Sequence, residues 1–401
     1  MRRPGGRLAA MANLIKVGGI TLLIVIGTLA GVFALMVGYV SWKQRKFATQ
    51  DDTRDLTARI EAMAGTYLGS RPRAALVIGV YQRGQNWVGG FGTAESGGTN
   101  RKPDGDTIFE IGSITKVFTG FALADAANRG IVKLDDPLVA LLPDGSQPND
   151  TQVRQITLKQ LATHSSGVPR LPADFWEQAK GQEANPYAGY TVIELFASLA
   201  SVKLNRAPGT GYEYSNYGAA LLGQALALKQ GTTYSNLLHQ RILDPLAMTD
   251  SFLIVPEANK ARFVGGYSPT GESTTSWDFD AFAPAGGLHS TANDLLKFIR
   301  AAHGPDDDSL GKALKLTLQL HSDTVMQKVG LGWHQLTTIE DLAVWWHNGG
   351  TGGYVSYLGI DPAHQTGVIV LANYGDALGG KFDLDKIGVN ILTLAARVSL
   401  K

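Results

Sequence analysis

Three patterns of hydrophobic and polar positions divide the chain. From Val17 to Val40 there is no charged residue, and Leu, Ile, Val, Ala and Gly predominate. This run of about 24 residues exceeds the roughly 20 that span a bilayer as a helix, and is longer than the core of about 7–15 residues in a cleavable signal peptide. It predicts one uncleaved N-terminal transmembrane helix, with Tyr39 and Trp42 at the interface. Arg2, Arg3, Arg7 and Lys16 precede it, and Lys43, Arg45 and Lys46 follow. The reading taken is N-terminus inside, a single pass of the inner (cytoplasmic) membrane, and the remaining chain on the periplasmic or extracytoplasmic side. Gly27 and Gly31 form a G-x-x-x-G pair, read as ordinary glycines of a membrane helix.

The second pattern is β-like and lies at both ends of the remaining chain. Ala74–Tyr81 and Gln85–Gly92 read as a strand pair joined through Arg83-Gly84. Near the C-terminus, Gly330–Leu336, Leu342–His347, Tyr354–Ile360 and Thr366–Asn373 read as further strands, followed by an amphipathic helix over Leu384–Val398. The third pattern, helical periodicity broken by turn signals such as Asp135-Asp136-Pro137 and Pro208-Gly209, fills the middle. Strands at both ends with helices between them predict an α+β fold, an antiparallel sheet flanked by helices with an inserted helical subdomain. The expected organisation is a tail and anchor over 1–46, a polar, partly helical connection over 47–72, and a catalytic domain over 73–401.

Composition narrows this further. The 401 residues are 44% hydrophobic and 18% charged, enough for a well-buried core, and the net charge of +1 gives no basic field for a nucleic acid. Cysteine is absent, which removes disulfides, thiolate metal sites and a cysteine nucleophile. No H-E-x-x-H is present, and neither a metal nor a cofactor is expected.

The candidate chemistry begins at Phe109-Glu110-Ile111-Gly112-Ser113-Ile114-Thr115-Lys116. Ile114, Val117, Phe118 and Phe121 fall at i, i+3, i+4 and i+7, the stripe of a buried helix running to about Arg129 before Gly130. Ser113 then sits in the first turn, where the helix terminus favours a developing alkoxide, and Lys116 lies on the same face. A buried lysine loses its proton more easily and can serve as a base. Gly120 is expected to leave space beside it. S-x-x-K recurs at Ser309–Lys312 after three aspartates, without an apolar stripe, and is read there as a solvated loop.

A second element is Tyr214-Ser215-Asn216, in a Pro- and Gly-rich loop ahead of the helical run Ala219–Ala227. The tyrosine can act as a base if cations lower its pKa, and Asn216 can donate to a substrate carbonyl. The copy Tyr234-Ser235-Asn236 lies in an amphipathic stretch and reads as core. A third element, His347-Asn348-Gly349-Gly350, follows a strand directly, and all four residues are expected to contact the substrate or its oxyanion; the glycines let a substrate lie along the strand edge and expose N–H groups for an oxyanion hole. His164 is read as part of a structural turn.

In this order the three elements resemble the serine β-lactamase and penicillin-binding-protein superfamily, in the branch of class C β-lactamases, D-Ala-D-Ala carboxypeptidases, D-aminopeptidases and related esterases. Leu161-Ala162-Thr163-His164-Ser165-Ser166-Gly167-Val168-Pro169, Asp244-Pro245-Leu246-Ala247-Met248 and Pro284-Ala285-Gly286-Gly287-Leu288 add to the likeness, which covers roughly residues 60–395. The resemblance implies Ser113 as nucleophile, Lys116 as its activating partner and Tyr214 as general base. It implies Asn216 as the group orienting the substrate amide, and the backbone N–H groups of Ser113 and Gly350 as the oxyanion hole. The third motif departs from the Lys-Thr-Gly usual in β-lactamases, and no Glu-x-x-x-Asn is present, which argues against rapid antibiotic hydrolysis. A histidine titrates near pH 6.5, and two roles are open to His347: a cation that helps keep Tyr214 ionised and attracts a substrate carboxylate, which is the one favoured, or a neutral hydrogen-bond donor if nearby Lys116 lowers its pKa.

The function expected is that of a membrane-anchored serine hydrolase acting on small cell-wall peptides of D-amino acids or on small esters. The alternatives are a class C-like β-lactamase and a penicillin-binding-like sensor or assembly protein without turnover. The acyl group, the leaving group and the oligomeric state are left open.

Overall fold

The computed structural model describes residues 55–69, 71–143, 145–375 and 383–400. The run Val17–Val40 lies outside them, and among the described residues no helix is long and apolar enough to cross a membrane. The first element is helix α1 (Leu56–Leu68), whose N-cap Asp55 accepts the Ala58 N–H at 2.8 Å. Leu56, Ile60, Ala64 and Tyr67 form its buried stripe. From Asp55 onward the expected connecting segment therefore belongs to the same compact unit as the sheet.

Strands β1 (Ala75–Gln82) and β2 (Gln85–Gly92) form the expected hairpin, turning through Arg83 and Gly84, both with positive φ. Between this hairpin and the C-terminal strands run α2 (Thr115–Asn128), α3 (Asn216–Lys229), α4 (Ala292–Ala302) and α5 (Ser309–Thr317). Then follow β3 (Ser322–Asp323), β4 (Lys328–Val329), β5 (His334–Thr337), β6 (Ala343–Gly350), β7 (Val355–Asp361), β8 (Thr366–Ala372) and finally α6 (Asp383–Ala395). The strands make one antiparallel sheet in the order β2-β1-β8-β7-β6-β5-β4-β3. The first and last long strands are thus neighbours, with Ile78 opposite Val370.

Strands β1, β7 and β8 are buried along nearly their whole length because both sheet faces are covered. Leu76, Ile78 and Val80 pack in one cluster with residues of α1 and α6, such as Ile60 and Ile391. Ala75 and Val77 face the larger core, which holds α2, α3 and α4. The expected α+β arrangement is present in the described residues.

Two local expectations need correction. The strand expected over Gly330–Leu336 is split, because the Gly330 N–H donates to the Trp333 carbonyl at 2.8 Å and turns the chain between β4 and β5. That turn docks on α2: a Cβ at Gly120 would sit 2.1 Å from the Leu331 carbonyl oxygen. The space expected beside Lys116 is therefore filled by backbone. The second S-x-x-K copy is not a loop but the first turn of α5. Asp308 caps it by accepting the Gly311 N–H, while Ala313 and Leu314 anchor its buried face. Ser309 and Lys312 are nonetheless exposed. Tyr234 is buried, as expected of a core residue, with its hydroxyl 2.6 Å from Thr119 Oγ1.

The end of β6 lies hard against the turn that precedes α2. A Cβ at Gly349 would fall 1.9 Å from the Ile111 carbonyl oxygen, and Ser356 Oγ of β7 donates to that same oxygen at 2.8 Å. Gly349→Ala should therefore destabilise the fold by about 1–3 kcal/mol, as overpacking does. Gly350→Ala, whose Cβ meets nothing within 4 Å, should change stability by less than about 0.5 kcal/mol. Equilibrium denaturation of the two variants checks the contrast, and equal stabilities would contradict this close approach.

Candidate active site

Ser113 occupies a single 3-10 turn, Gly112–Ile114, that runs straight into α2. Gly112 enters the turn at φ +50°, and a Cβ there would lie 2.7 Å from the Gly350 backbone nitrogen. The turn bearing the serine and the end of β6 are thus adjacent. Three residues on, Lys116 is 2% exposed. Its Nζ lies 3.0 Å from Ser113 Oγ, 2.8 Å from Asn216 Oδ1 and 2.6 Å from the Ala285 carbonyl oxygen. All three partners are uncharged. Burial, followed by the nearby Arg170 guanidinium, holds the amine well below the ordinary lysine range.

Tyr214 stands in the loop ahead of α3. The next residue, Ser215, caps that helix by accepting the Gly218 N–H at 2.8 Å and ties the loop down by donating to the Pro169 carbonyl at 2.6 Å. Burial raises the pKa of the Tyr214 phenol; the neighbouring Ser113 side chain and the Arg170 charge oppose that rise without cancelling it. The phenol is consequently protonated at neutral pH. Lys116 Nζ lies 4.7 Å from the centre of the tyrosine ring and Arg170 Cζ lies 5.2 Å from it. Asn216, the first residue of α3, is buried between Lys116 and Tyr187, donating from Nδ2 to the Tyr187 hydroxyl at 2.8 Å. In this structure one of its two amide hydrogens is thus already taken.

The strand pleat separates His347 from Asn348. His347 is 1% exposed and its ring centre lies 6.2 Å from that of Tyr214 and 4.9 Å from that of His334. Its Nδ1 is 2.6 Å from the Asn348 carbonyl oxygen, while Nε2 is buried without a partner among the described residues. Burial comes first, then the charges of His334 and Lys116, in pushing its pKa well below the histidine range. Of the two roles open to it, the neutral donor is the one this burial favours, because no carboxylate among the described residues is placed to compensate a charge on the ring. Asn348 lies on the other sheet face and donates to Asp385 Oδ2 of α6 at 2.8 Å. Its side chain joins the strand to a helix instead of lining the cleft, contrary to the substrate contact expected of it. Gly349 and Gly350 contribute backbone beside the Ser113 turn.

His164 sits in a turn at φ +56° and accepts the Ser215 N–H on Nδ1 at 3.2 Å, with its ring 4.4 Å from that of Tyr214. The structure also brings in three residues that sequence reasoning missed. His334 follows the unforeseen turn after β4, and burial lowers its pKa to about 4. Tyr187 comes from a segment without periodicity, and Arg170 stands one position beyond the motif stretch ending at Pro169. Among the described residues, no group of three His, Asp or Glu side chains is placed to hold a metal ion. A separate cleft of about 470 Å³, lined by Tyr190, Gln224, Tyr234 and Leu253 among others, shares no lining residue with this cluster.

The β-lactamase family model matches residues 58–386. The D-alanyl-D-alanine-carboxypeptidase/endopeptidase AmpH of Escherichia coli K12 is 29% identical over 292 residues, 68% of this chain and 73% of that protein. A β-lactamase of the same organism is 27% identical over 301 residues, 67% of this chain and 75% of that protein. Among solved structures, a class C β-lactamase aligns with a TM-score of 0.72 at 21% identity, covering 88% of this chain and 98% of its own. The β-lactamase/D-alanine carboxypeptidase of Pseudomonas syringae aligns at 0.73 and 22%, covering 84% and 98%. At these identities the structural matches speak to the fold, and the family match spans most of the sequence. The chain accordingly belongs to the β-lactamase family, as a serine hydrolase related to the class C β-lactamases and the D-Ala-D-Ala carboxypeptidases.

Proposed function

We propose that the protein is a membrane-anchored hydrolase that forms an acyl-enzyme on Ser113 and acts on D-amino-acid peptides, in the manner of a DD-carboxypeptidase or D-aminopeptidase, or on small esters. The observation that carries this reading is the buried Lys116 amine, 3.0 Å from Ser113 Oγ and without an acidic partner. A neutral amine has two N–H donors and one lone pair. The donors go to the carbonyl oxygens of Asn216 and Ala285, which leaves the lone pair for the Ser113 proton.

The chemistry then runs as follows. Ser113 Oγ bonds to the substrate carbonyl carbon as its proton passes to Lys116, directly or across the Tyr214 phenol. Negative charge gathers on the former carbonyl oxygen, where the backbone N–H groups of Ser113 and Gly350 are the proposed donors; the close approach of Gly112 to Gly350 supports that pairing. Tyr214, protonated and with its ring centre 4.7 Å from Lys116 Nζ, is suited to passing a proton to the leaving amine or alcohol. Water repeats the sequence in reverse to free the acyl group. This division gives the base role to Lys116 and a relay role to Tyr214, in place of an ionised tyrosine.

A class C-like β-lactamase is the second reading, favoured by the likeness to a β-lactamase of E. coli. The neutral His347 in the place of a lysine favours the peptidase or ester reading over it. A sensor without turnover would be expected to lack one of the reacting groups, and Ser113, Lys116 and Tyr214 are all present. The uncharged run Val17–Val40 supports an anchor in the inner membrane with the hydrolase domain on the outer side of it.

Ser113→Ala should abolish labelling by a fluorophosphonate or fluorescent penicillin, read by intact mass, and also abolish turnover of a panel of D-peptides, esters and nitrocefin. Ser309→Ala should change neither. Labelling that survives the first substitution would sink the proposal, and nitrocefin as the best substrate would favour the β-lactamase reading.

The lysine base also fixes a pH dependence. Its free amine is the active form, so kcat/KM for an uncharged ester should fall as pH drops through the depressed Lys116 pKa and level off above it. Asn216→Asp keeps the side-chain shape but supplies a counter-charge 2.8 Å from Nζ. It should raise that pKa and move the acid limb of the profile upward by about 1–3 units. An unmoved limb would take the base role away from Lys116. For the anchor, full-length protein should pellet with membranes and be released by detergent but not by high salt; uncleaved protein in the soluble fraction would contradict it.

A further inference from the structure

We infer that Arg170 selects substrates by charge, its guanidinium at the mouth of the site receiving a carboxylate carried by the molecule that acylates Ser113. The inference rests on the Ser113 reading and deepens it by naming the substrate class as anionic acyl compounds.

Arg170 differs from the arginines that are paired. Arg73 pairs with Glu95, Arg129 and Arg241 with Asp125, Arg206 with Glu213 and Arg262 with Asp250. Arg170 makes no ion pair and no side-chain hydrogen bond among the described residues, and it is exposed. Its one side-chain partner there is the ring of Tyr214, 5.2 Å from Cζ. A guanidinium stacked on an aromatic face keeps its in-plane N–H fork free, and that fork matches a carboxylate in two parallel hydrogen bonds.

The position is also fixed. The Arg170 carbonyl accepts the N–H groups of both Asn216 and Tyr217 at 3.1 Å, so its backbone is pinned to the first turn of α3, the turn that carries Asn216. The side chain therefore starts from a rigid point beside the reacting groups. Its charge is felt there: Arg170 helps to hold down the pKa values of Lys116 and His164 and opposes the rise at Tyr214. No carboxylate is among the causes at Lys116, Tyr214, His164, His334 or His347.

The other candidates for an anion receptor fail on the same observations. Lys116 is buried and fully committed to its three partners. His347 is buried and neutral. A substrate carboxylate held in the cleft has Arg170 as the cation that is both exposed and unspent.

The test uses full-length wild type, Arg170→Gln and Arg170→Lys in detergent. The substrates are two thioesters with the same N-acyl-D-alanyl group, one leaving as thioglycolate and the other as thioglycolamide. Each enzyme is measured on the alkaline plateau of its own pH profile, so that a shifted Lys116 pKa does not enter. The readout is the ratio of kcat/KM for the charged substrate to that for the neutral one. Arg170→Gln should lower this ratio about 10–100-fold, the range for losing a charge-assisted hydrogen bond. Arg170→Lys, which keeps the charge but loses the fork, should fall between the two. Added salt should erode the wild-type ratio and leave that of Arg170→Gln nearly flat.

An unchanged ratio in Arg170→Gln overturns the inference, even if both rates fall, because Arg170 would then act on the chemistry or the fold. Turnover of the thioesters without turnover of any D-peptide would remove the peptide substrate while the ratio still decides the role of Arg170. Turnover that survives Ser113→Ala would overturn the Ser113 reading and this inference with it.

Discussion

Burying the Lys116 amine among uncharged partners decides how the rest of the site is built. An ammonium taken out of water without a counter-charge costs several kcal/mol, and each unit of pKa displacement corresponds to about 1.4 kcal/mol. Giving up the proton avoids that cost and leaves a base one helical turn from a hydroxyl. The arrangement works only while acids stay away, and the groups packed round Lys116 are amide, phenol, imidazole and backbone carbonyl. The depressed pKa of His347 has the same origin, its own burial away from any counter-charge.

Such a site cannot be assembled from local sequence. The serine turn comes from residue 113, the amide partner from 216, the carbonyl partner from 285 and the imidazole from 347. The sheet brings these together by pairing the first long strand with the last, so that the helical middle of the chain is held between them. Where the β-strand region meets the serine turn and its helix, side chains give way to bare backbone. Gly349 admits the Ile111 carbonyl, and Gly120 admits Leu331.

Much of this was legible from pattern. The apolar runs and turn signals of Ala74–Tyr81 and of residues 354–373 locate the central strands, because two-sided burial imposes a continuous apolar run there. The stripe Ile114, Val117, Phe118 and Phe121 locates the helix that carries Lys116. What escaped was set by tertiary contact. The break at Gly330 depends on docking to α2, which no local periodicity records. The protonation of His347 depends on its neighbours His334 and Lys116, which come from elsewhere in the chain. Arg170 was invisible because its importance lies in a partner it lacks, and a sequence does not display missing partners. The helical nature of Ser309–Lys312 could have been read from Asp308, a good N-cap that was counted only as one more charge.

The joint between Asn348 and Asp385 bears on how the protein ages. Asn-Gly is the dipeptide in which the following backbone nitrogen most readily attacks the asparagine amide, closing a succinimide that opens to aspartate or isoaspartate. Here Asn348 and Gly349 are paired with Tyr357 and Ser356 in the β6–β7 ladder, and the asparagine amide is held 2.8 Å from Asp385. Extended backbone and an anchored side chain keep the nitrogen away from the carbon it would attack. A deamidated chain would place a new carboxylate against Asp385, loosening α6 from the strand that also carries His347. The same hydrogen bond that fixes the sheet to its covering helix thus guards a chemically perishable link.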